Sequence, residues 1–426
     1  MTNFETLRDK YACPCDESTM YEPFLLPVKA EGMKVWFDGD PEPYIDLVLG
    51  YSSNNFGHNH PLLVKAAQDA AAKIAQIHSF HTKDKLLLSQ YLADKVSKEQ
   101  PYNVYFDIGG TSVVASAIRL CRSYTKKRYI VCFDGAYHGA SQLGASVTDD
   151  GFIDKAQYVI NNVSDFVIRL PFPGKHTDVT TDDSIRQLEE AIQNNDVAGV
   201  IVEPVQGANG FIFPEDDFLP RLREVTESNE VMLIMDEIQV GLGRIGHFFA
   251  YQKWGIVPDI VVLSKSLSGG FYPLSAIIAR PQLFNSVSSN ATAFQSTFNN
   301  NPLGINIALK VMEFIENENC LENSMVKGET LLHKLSFLED SPYISNLRGE
   351  GLAIAFDMTE KNAPNQPSKK YAKKLKDVAL DEHLIIYSCG RNGDVIKLAP
   401  SLMIEDKDIE FIVNKLKIVL EKAGLI

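Results

Sequence analysis

Tryptophan occurs twice and cysteine six times among 426 residues. So few cysteines in so long a chain exclude a disulfide-stapled secreted scaffold and are read as free thiols in a reducing compartment. No apolar run approaches the length of a membrane span. The opening stretch, MTNFETLRDKYACPCDEST, lacks the apolar core of a secretory signal, so a cytoplasmic protein is expected. Positive charge is also in deficit, with 41 Lys and Arg against 55 Asp and Glu and a net charge of −14. That balance argues against nucleic acid or an anionic membrane as partner. The two basic clusters, Lys126-Lys127-Arg128 and Lys369-Lys370 with Lys373-Lys374, read as solvated faces. Cys13-Pro14-Cys15 has no second Cys or His cluster beside it, so no metal site is expected there. Repeats and low-complexity tracts are absent as well.

What remains is an ordinary globular composition, 45% apolar and 23% charged. The length suits two or three domains and a core large enough to need no staples. In the middle of the chain, short apolar runs alternate with polar-faced stretches. Candidate strands are Tyr129–Phe133, Gly199–Val202, Val231–Met235 and Ile260–Leu263, and candidate helices are Asp182–Asn194 and Leu219–Ser228. Runs rich in Val, Ile and Leu suit strands covered on both faces, and the βαβ rhythm predicts a mostly parallel sheet between helices. Residues 23–50 carry a hairpin pattern turning at Asp38, Gly39 and Asp40. After a long helix, Pro302–Asn317, the remainder alternates helices with strands at Leu352–Phe356, Leu384–Tyr387 and Val395–Leu398. The expected division is an N-terminal segment, 1–50, packing with a small α+β domain, 319–426, and a large domain, 51–318, between them.

Ligands of such a sheet sit beyond the carboxyl ends of its strands. Glu203, Asp236 and the pair Ser264-Lys265 each close a candidate strand, so two carboxylates and an amine are predicted to share one rim. Most lysines are merely solvated. Lys265 differs in its setting, between an apolar run and the small residues Ser266, Ser268, Gly269 and Gly270, which let a bound molecule approach the backbone. An amine among apolar neighbours loses its proton more easily and can attack a carbonyl to form a Schiff base. Gly109-Gly110-Thr111-Ser112 opens a helical pattern, and free amides at a helix start favour an anion, so Gly110 and Thr111 are candidate phosphate ligands. In Gly135-Ala136-Tyr137-His138-Gly139, the tyrosine is placed to stack on a flat ring. His138 suits acid–base work or a structural hydrogen bond equally.

These residues together resemble the class III aminotransferases. Asp236-Glu237-Ile238-Gln239 through Arg244 is similar to that group's aspartate motif, and Pro258 through Gly270 to its lysine motif. Leu267-Ser268-Gly269-Gly270-Phe271-Tyr272-Pro273-Leu274-Ser275-Ala276 is closest to ornithine aminotransferases. Gly57-His58 with His60-Pro61, Tyr137-His138-Gly139, Glu203-Pro204-Val205-Gln206-Gly207, Ser296-Thr297-Phe298 with Asn301-Pro302, and Arg348-Gly349 follow in the group's order. The resemblance implies a pyridoxal 5′-phosphate (PLP) enzyme of fold type I. Its large domain would carry a mostly parallel seven-stranded sheet flanked by helices, and its small α+β domain would draw on both chain ends. It further implies a homodimer with shared active sites, acting on amine and keto-acid substrates. Lys265 would hold the coenzyme and shuttle the proton, Asp236 would pair with the pyridine nitrogen, and Tyr137 would stack on the ring. Gln239 would lie near the ring hydroxyl. Gly110 and Thr111 would hold the phosphate, with Thr297 reaching it from the other subunit.

Three positions depart from the group's pattern. Ser112 stands where a Glu is usual. Lys397, in Val395-Ile396-Lys397-Leu398-Ala399-Pro400, stands where an Arg usually grips the donor's carboxylate. Asn299-Asn300 replaces glycines. A lysine offers a point charge where arginine offers a planar two-point grip. Either Glu203 and Lys397 form a switching pair that binds substrate, or carboxylate recognition has moved to Arg391 or Arg244. The reaction expected is amino transfer between an ω-amine or amino acid and a keto acid or aldehyde. The alternatives on the same fold are epimerisation, decarboxylation and aminomutase chemistry, the last suggested by Ser116-Ala117-Ile118-Arg119-Leu120.

Overall fold

Near the N-terminus, turn residues break a run of extended chain into β1 (Pro27–Glu31), β2 (Lys34–Phe37) and β3 (Tyr44–Asp46). The computed structural model describes residues 4–13, 24–77, 79–149, 166–287, 294 and 296–426. Cys15 therefore lies outside the described residues, while Cys13 is exposed. The turn at Asp38–Asp40 is where the sequence placed it, joining β2 to β3.

The apolar runs of the middle of the chain become a central sheet. Its strands are β4 (Asn103–Ile108), β5 (Tyr129–Phe133), β6 (Val167–Leu170), β7 (Val197–Val202), β8 (Met232–Asp236), β9 (Ile260–Leu263) and β10 (Leu274–Ala279). Their order is β4-β10-β9-β8-β7-β5-β6. Neighbours from β9 through β6 are parallel, whereas β10 runs antiparallel to both β4 and β9. β7, β9 and β10 are buried at every residue. Alternation along each strand sorts the side chains onto two faces. Ile130, Ile201, Ile234 and Val262 pack with the helix Gly110–Thr125. Val131, Val200, Leu233 and Val261 join the core beneath the helices Thr181–Asn194 and Phe218–Ser228. Each such side chain contributes about 2 kcal/mol by leaving water, so both faces need their cover.

Beyond β10, Asn301 caps the helix Pro302–Asn317 by accepting from the amides of Leu303 and Gly304, and Pro302 takes the first position, where a missing N–H costs nothing. The C-terminal part adds β11 (Ile344–Glu350), β12 (Ala353–Glu360), β13 (Ala363–Pro367), β14 (Leu384–Ile385), β15 (Tyr387–Cys389) and β16 (Val395–Leu398). β11, β12, β16 and β15 form an antiparallel sheet with β13 on its edge. β14 leaves that sheet and pairs in parallel with β3, Leu384 opposite Ile45. Both chain ends thus meet in one small sheet. No helix among the described residues is long and apolar enough to cross a membrane.

Candidate active site

The carboxyl ends of β7, β8 and β9 open on one cleft of about 310 Å³. Glu203, Asp236, Gln239, Lys265, Tyr137, His138, Gly110 and Thr111 line it, so eight of the residues expected from the sequence do meet. Thr297 and Lys397 do not line it.

Lys265 opens a tight turn, Lys265–Ser268, directly after β9 and Ser264. Its φ of 45° lies in the left-handed region, a strained choice for a residue with a side chain. Asp236 is the last residue of β8 itself and is 3% exposed. One carboxylate oxygen takes the Ile238 amide at 3.0 Å and the other meets Nδ1 of the buried His138 at 2.7 Å. His138 therefore bonds Asp236, as the structural one of the two roles open to it requires. Gln239 is buried, and its side-chain nitrogen has no partner among the described residues.

Glu203 follows β7 and is 5% exposed. Its two oxygens accept from backbone amides, that of Tyr137 at 2.9 Å and that of Gly207 at 2.8 Å. Burial pushes its carboxyl up to about 7, against the pull of His138 and of those two donors. The expected pairing with Lys397 is not made. Lys397 lies on β16, 4% exposed, with Nζ donating to the Gly207 carbonyl at 3.1 Å and sitting 5.0 Å from the centre of the Phe211 ring. Burial lowers its pKa, opposed by Cys389 and Glu203. Arg244 is no substitute. It is fully buried, donates to the Leu352 and Pro400 carbonyls and to Asn55, and has its pKa lowered to about 9 by burial. Arg391 pairs with the buried Asp149 at 3.1 Å.

One wall of the cleft is built from the start of the helix Gly110–Thr125. Gly109 precedes it with φ of 76°, a conformation that favours glycine, and the first-turn residues Gly110 and Thr111 line the cleft. The Thr111 hydroxyl donates to Ser141 at 2.7 Å, a contact between distant loops that no motif announced. Ser112, in place of the usual Glu, donates to the buried Asp107 at 2.6 Å and so fastens the loop to β4. Asn299 donates to the Phe294 carbonyl and to the Tyr105 hydroxyl, and the Asn300 amide donates to the Phe106 carbonyl. Both asparagines hold their loop on β4, and Asn300 has φ of 50°, which asparagine tolerates better than most residues. Beside them, the Thr297 carbonyl accepts from Gln76.

With this geometry in hand, comparison with known proteins places the chain. The family model described as Aminotransferase class-III matches residues 17–420. The 4-aminobutyrate aminotransferase of Escherichia coli is 30% identical over 390 residues, 89% of this chain and 90% of that protein. A leucine/methionine racemase of Thermococcus litoralis is 30% identical over 408 residues, 92% of this chain and 90% of that protein. Among solved structures, a PLP-bound amine transaminase from an uncultivated Pseudomonas species superposes with a TM-score of 0.87 at 25% identity, over 97% of this chain and 99% of that one.

Proposed function

The chain belongs to the class III aminotransferases, PLP-dependent enzymes of fold type I, and from that premise we propose the task of each residue in its cleft. The residues present fit the coenzyme. Lys265 supplies a primary amine for its aldehyde. The first-turn amides of Gly110 and Thr111 supply donors for its phosphate. Gln239 has a buried nitrogen in want of an acceptor, which suits the ring hydroxyl. Asp236 supplies the carboxylate for the pyridine nitrogen, with His138 orienting it. Tyr137, at the cleft mouth, covers the ring face.

When bound, PLP draws the electron pair of a substrate C–H bond into its ring. Asp236 favours that draw by keeping the ring nitrogen protonated, since a nearby anion stabilises the cation. Lys265 would hold the coenzyme through its ε-nitrogen, and the same amine would carry the proton to and from the substrate Cα. Amino transfer from an ω-amine to a keto acid or aldehyde is the reading best supported, because among the described residues no arginine lines the cleft to grip an α-carboxylate. The racemase relative favours epimerisation as the second reading.

The same proposal takes the functional unit as a homodimer. Leu62, Phe80, Leu86, Leu87 and Phe298 are each more than half exposed, and an exposed apolar set of this size seeks cover. Thr297 stands beside Phe298, away from its own cleft, which suits a reach into the partner's. Boundaries near residues 50 and 318 and a cytoplasmic setting complete the proposal. The free cysteines among the described residues fit a reducing compartment.

The test is a half-reaction on purified holoenzyme without acceptor. An amine donor should bleach the visible absorbance of the coenzyme and release one equivalent of carbonyl product. Deuterium entering Cα with no carbonyl product would instead establish the second reading.

A further inference from the structure

The cleft lining is unbalanced in charge. Its carboxylates are Glu203 and Asp236, and its one cation among the described residues is Lys265. Asp236 is committed to His138 and, in the reading above, to the coenzyme. Lys265 is committed to the coenzyme as well. Glu203 remains, with two backbone amides as its hydrogen-bond partners among the described residues. A cation in reach would complete it, since a buried carboxylate is stabilised far more by an opposite charge than by amides alone.

Among the described residues, four cations that could have filled that place are held elsewhere. Register on β16 sets Lys397 opposite Tyr387 and Ala355, and its amine is taken by the Gly207 carbonyl and the faces of Phe211 and Tyr387. Arg244 is spent on carbonyls, and Arg348 on Asp357 at 2.7 Å and on the Gly210 carbonyl at 3.0 Å. Arg391 is held by Asp149.

We propose that Glu203 is a receptor for a second ammonium group on the donor, so that the preferred donor is an aliphatic diamine without a carboxylate. This rests on the aminotransferase reading and deepens it. One amino group would be presented to the coenzyme while the other forms a charge-assisted hydrogen bond to Glu203.

Single-turnover absorbance on the holoenzyme decides the matter, with 1,4-diaminobutane, butylamine and 4-aminobutyrate as donors. In the native enzyme the diamine should be favoured over butylamine in rate over half-saturation by about tenfold or more. Glu203→Gln should bring that ratio close to one, and Lys397→Met should keep it. Should the glutamine variant fail to fold, the native ratio at two pH values serves instead. Glu203 faces His138 from the loop after β5, Asp236 on β8, Lys265 after β9 and, more distantly, Lys397 on β16. An acid titrating near 7 loses its negative charge as pH falls, so the ratio should shrink from pH 8 to pH 6. Butylamine reacting as well as the diamine would overturn the inference and leave the aminotransferase reading standing. So would a preference for 4-aminobutyrate that Lys397→Met removes. Failure of every donor to bleach the coenzyme would overturn both.

Discussion

Asp236 has little freedom, because the Ile238 amide and the His138 ring each hold one of its oxygens. In the proposed role a carboxylate so fixed would keep the ring nitrogen protonated, whereas an amide in its place keeps the shape and loses the charge. Asp236→Asn should therefore fold normally, bind coenzyme, and lower the single-turnover rate by about 10²-fold or more. A near-native rate in that variant would contradict the pairing. Lys265, Asp236 and Glu203 were legible in the sequence because each closes an apolar run, and strand ends converge in a parallel sheet. The inward turn of Lys397 was not. Its partners, Gly207, Phe211 and Tyr387, come from two other loops and strands, and only packing decides which way a long side chain bends. The same holds for the bond between Thr111 and Ser141.

At the scale of elements, β5 and β9 match the apolar runs residue for residue, since both are sealed on two faces and carry no polar interruption. β8 lies one residue further along than its run suggested, which makes Asp236 part of the strand. β10 was read only as part of a motif, because an antiparallel strand inserted between β4 and β9 leaves no local signature. β6 was missed for a different reason. It edges the sheet, is mostly half-buried, and carries Arg169 in its middle. The union of β14 with β3 joins chain ends far apart in sequence, and no periodicity announces such a pairing. Substitutions drew attention at Ser112, Asn299 and Asn300, and each proves to be a fastening onto β4 or its flanks rather than a group in the cleft.

At the scale of the whole molecule, the apolar residues Phe80 and Leu87 are exposed, and Leu87 stands on the helix Lys83–Val96, which packs against the helix Pro302–Asn317. Replacing both by arginine places charges where the partner would sit. The double variant should elute and scatter light as a single chain, with its coenzyme dissociation constant raised about tenfold by the loss of the partner's contribution to phosphate binding. A dimer of unchanged mass, or a monomer with unchanged coenzyme affinity, would count against shared sites. The account as a whole turns on where the coenzyme is attached. Borohydride reduction of the yellow holoenzyme, then digestion and mass mapping, should find the coenzyme's mass on the peptide bearing Lys265 and on no other lysine. Recovery of that peptide unmodified, or of the added mass at a different lysine, would contradict it.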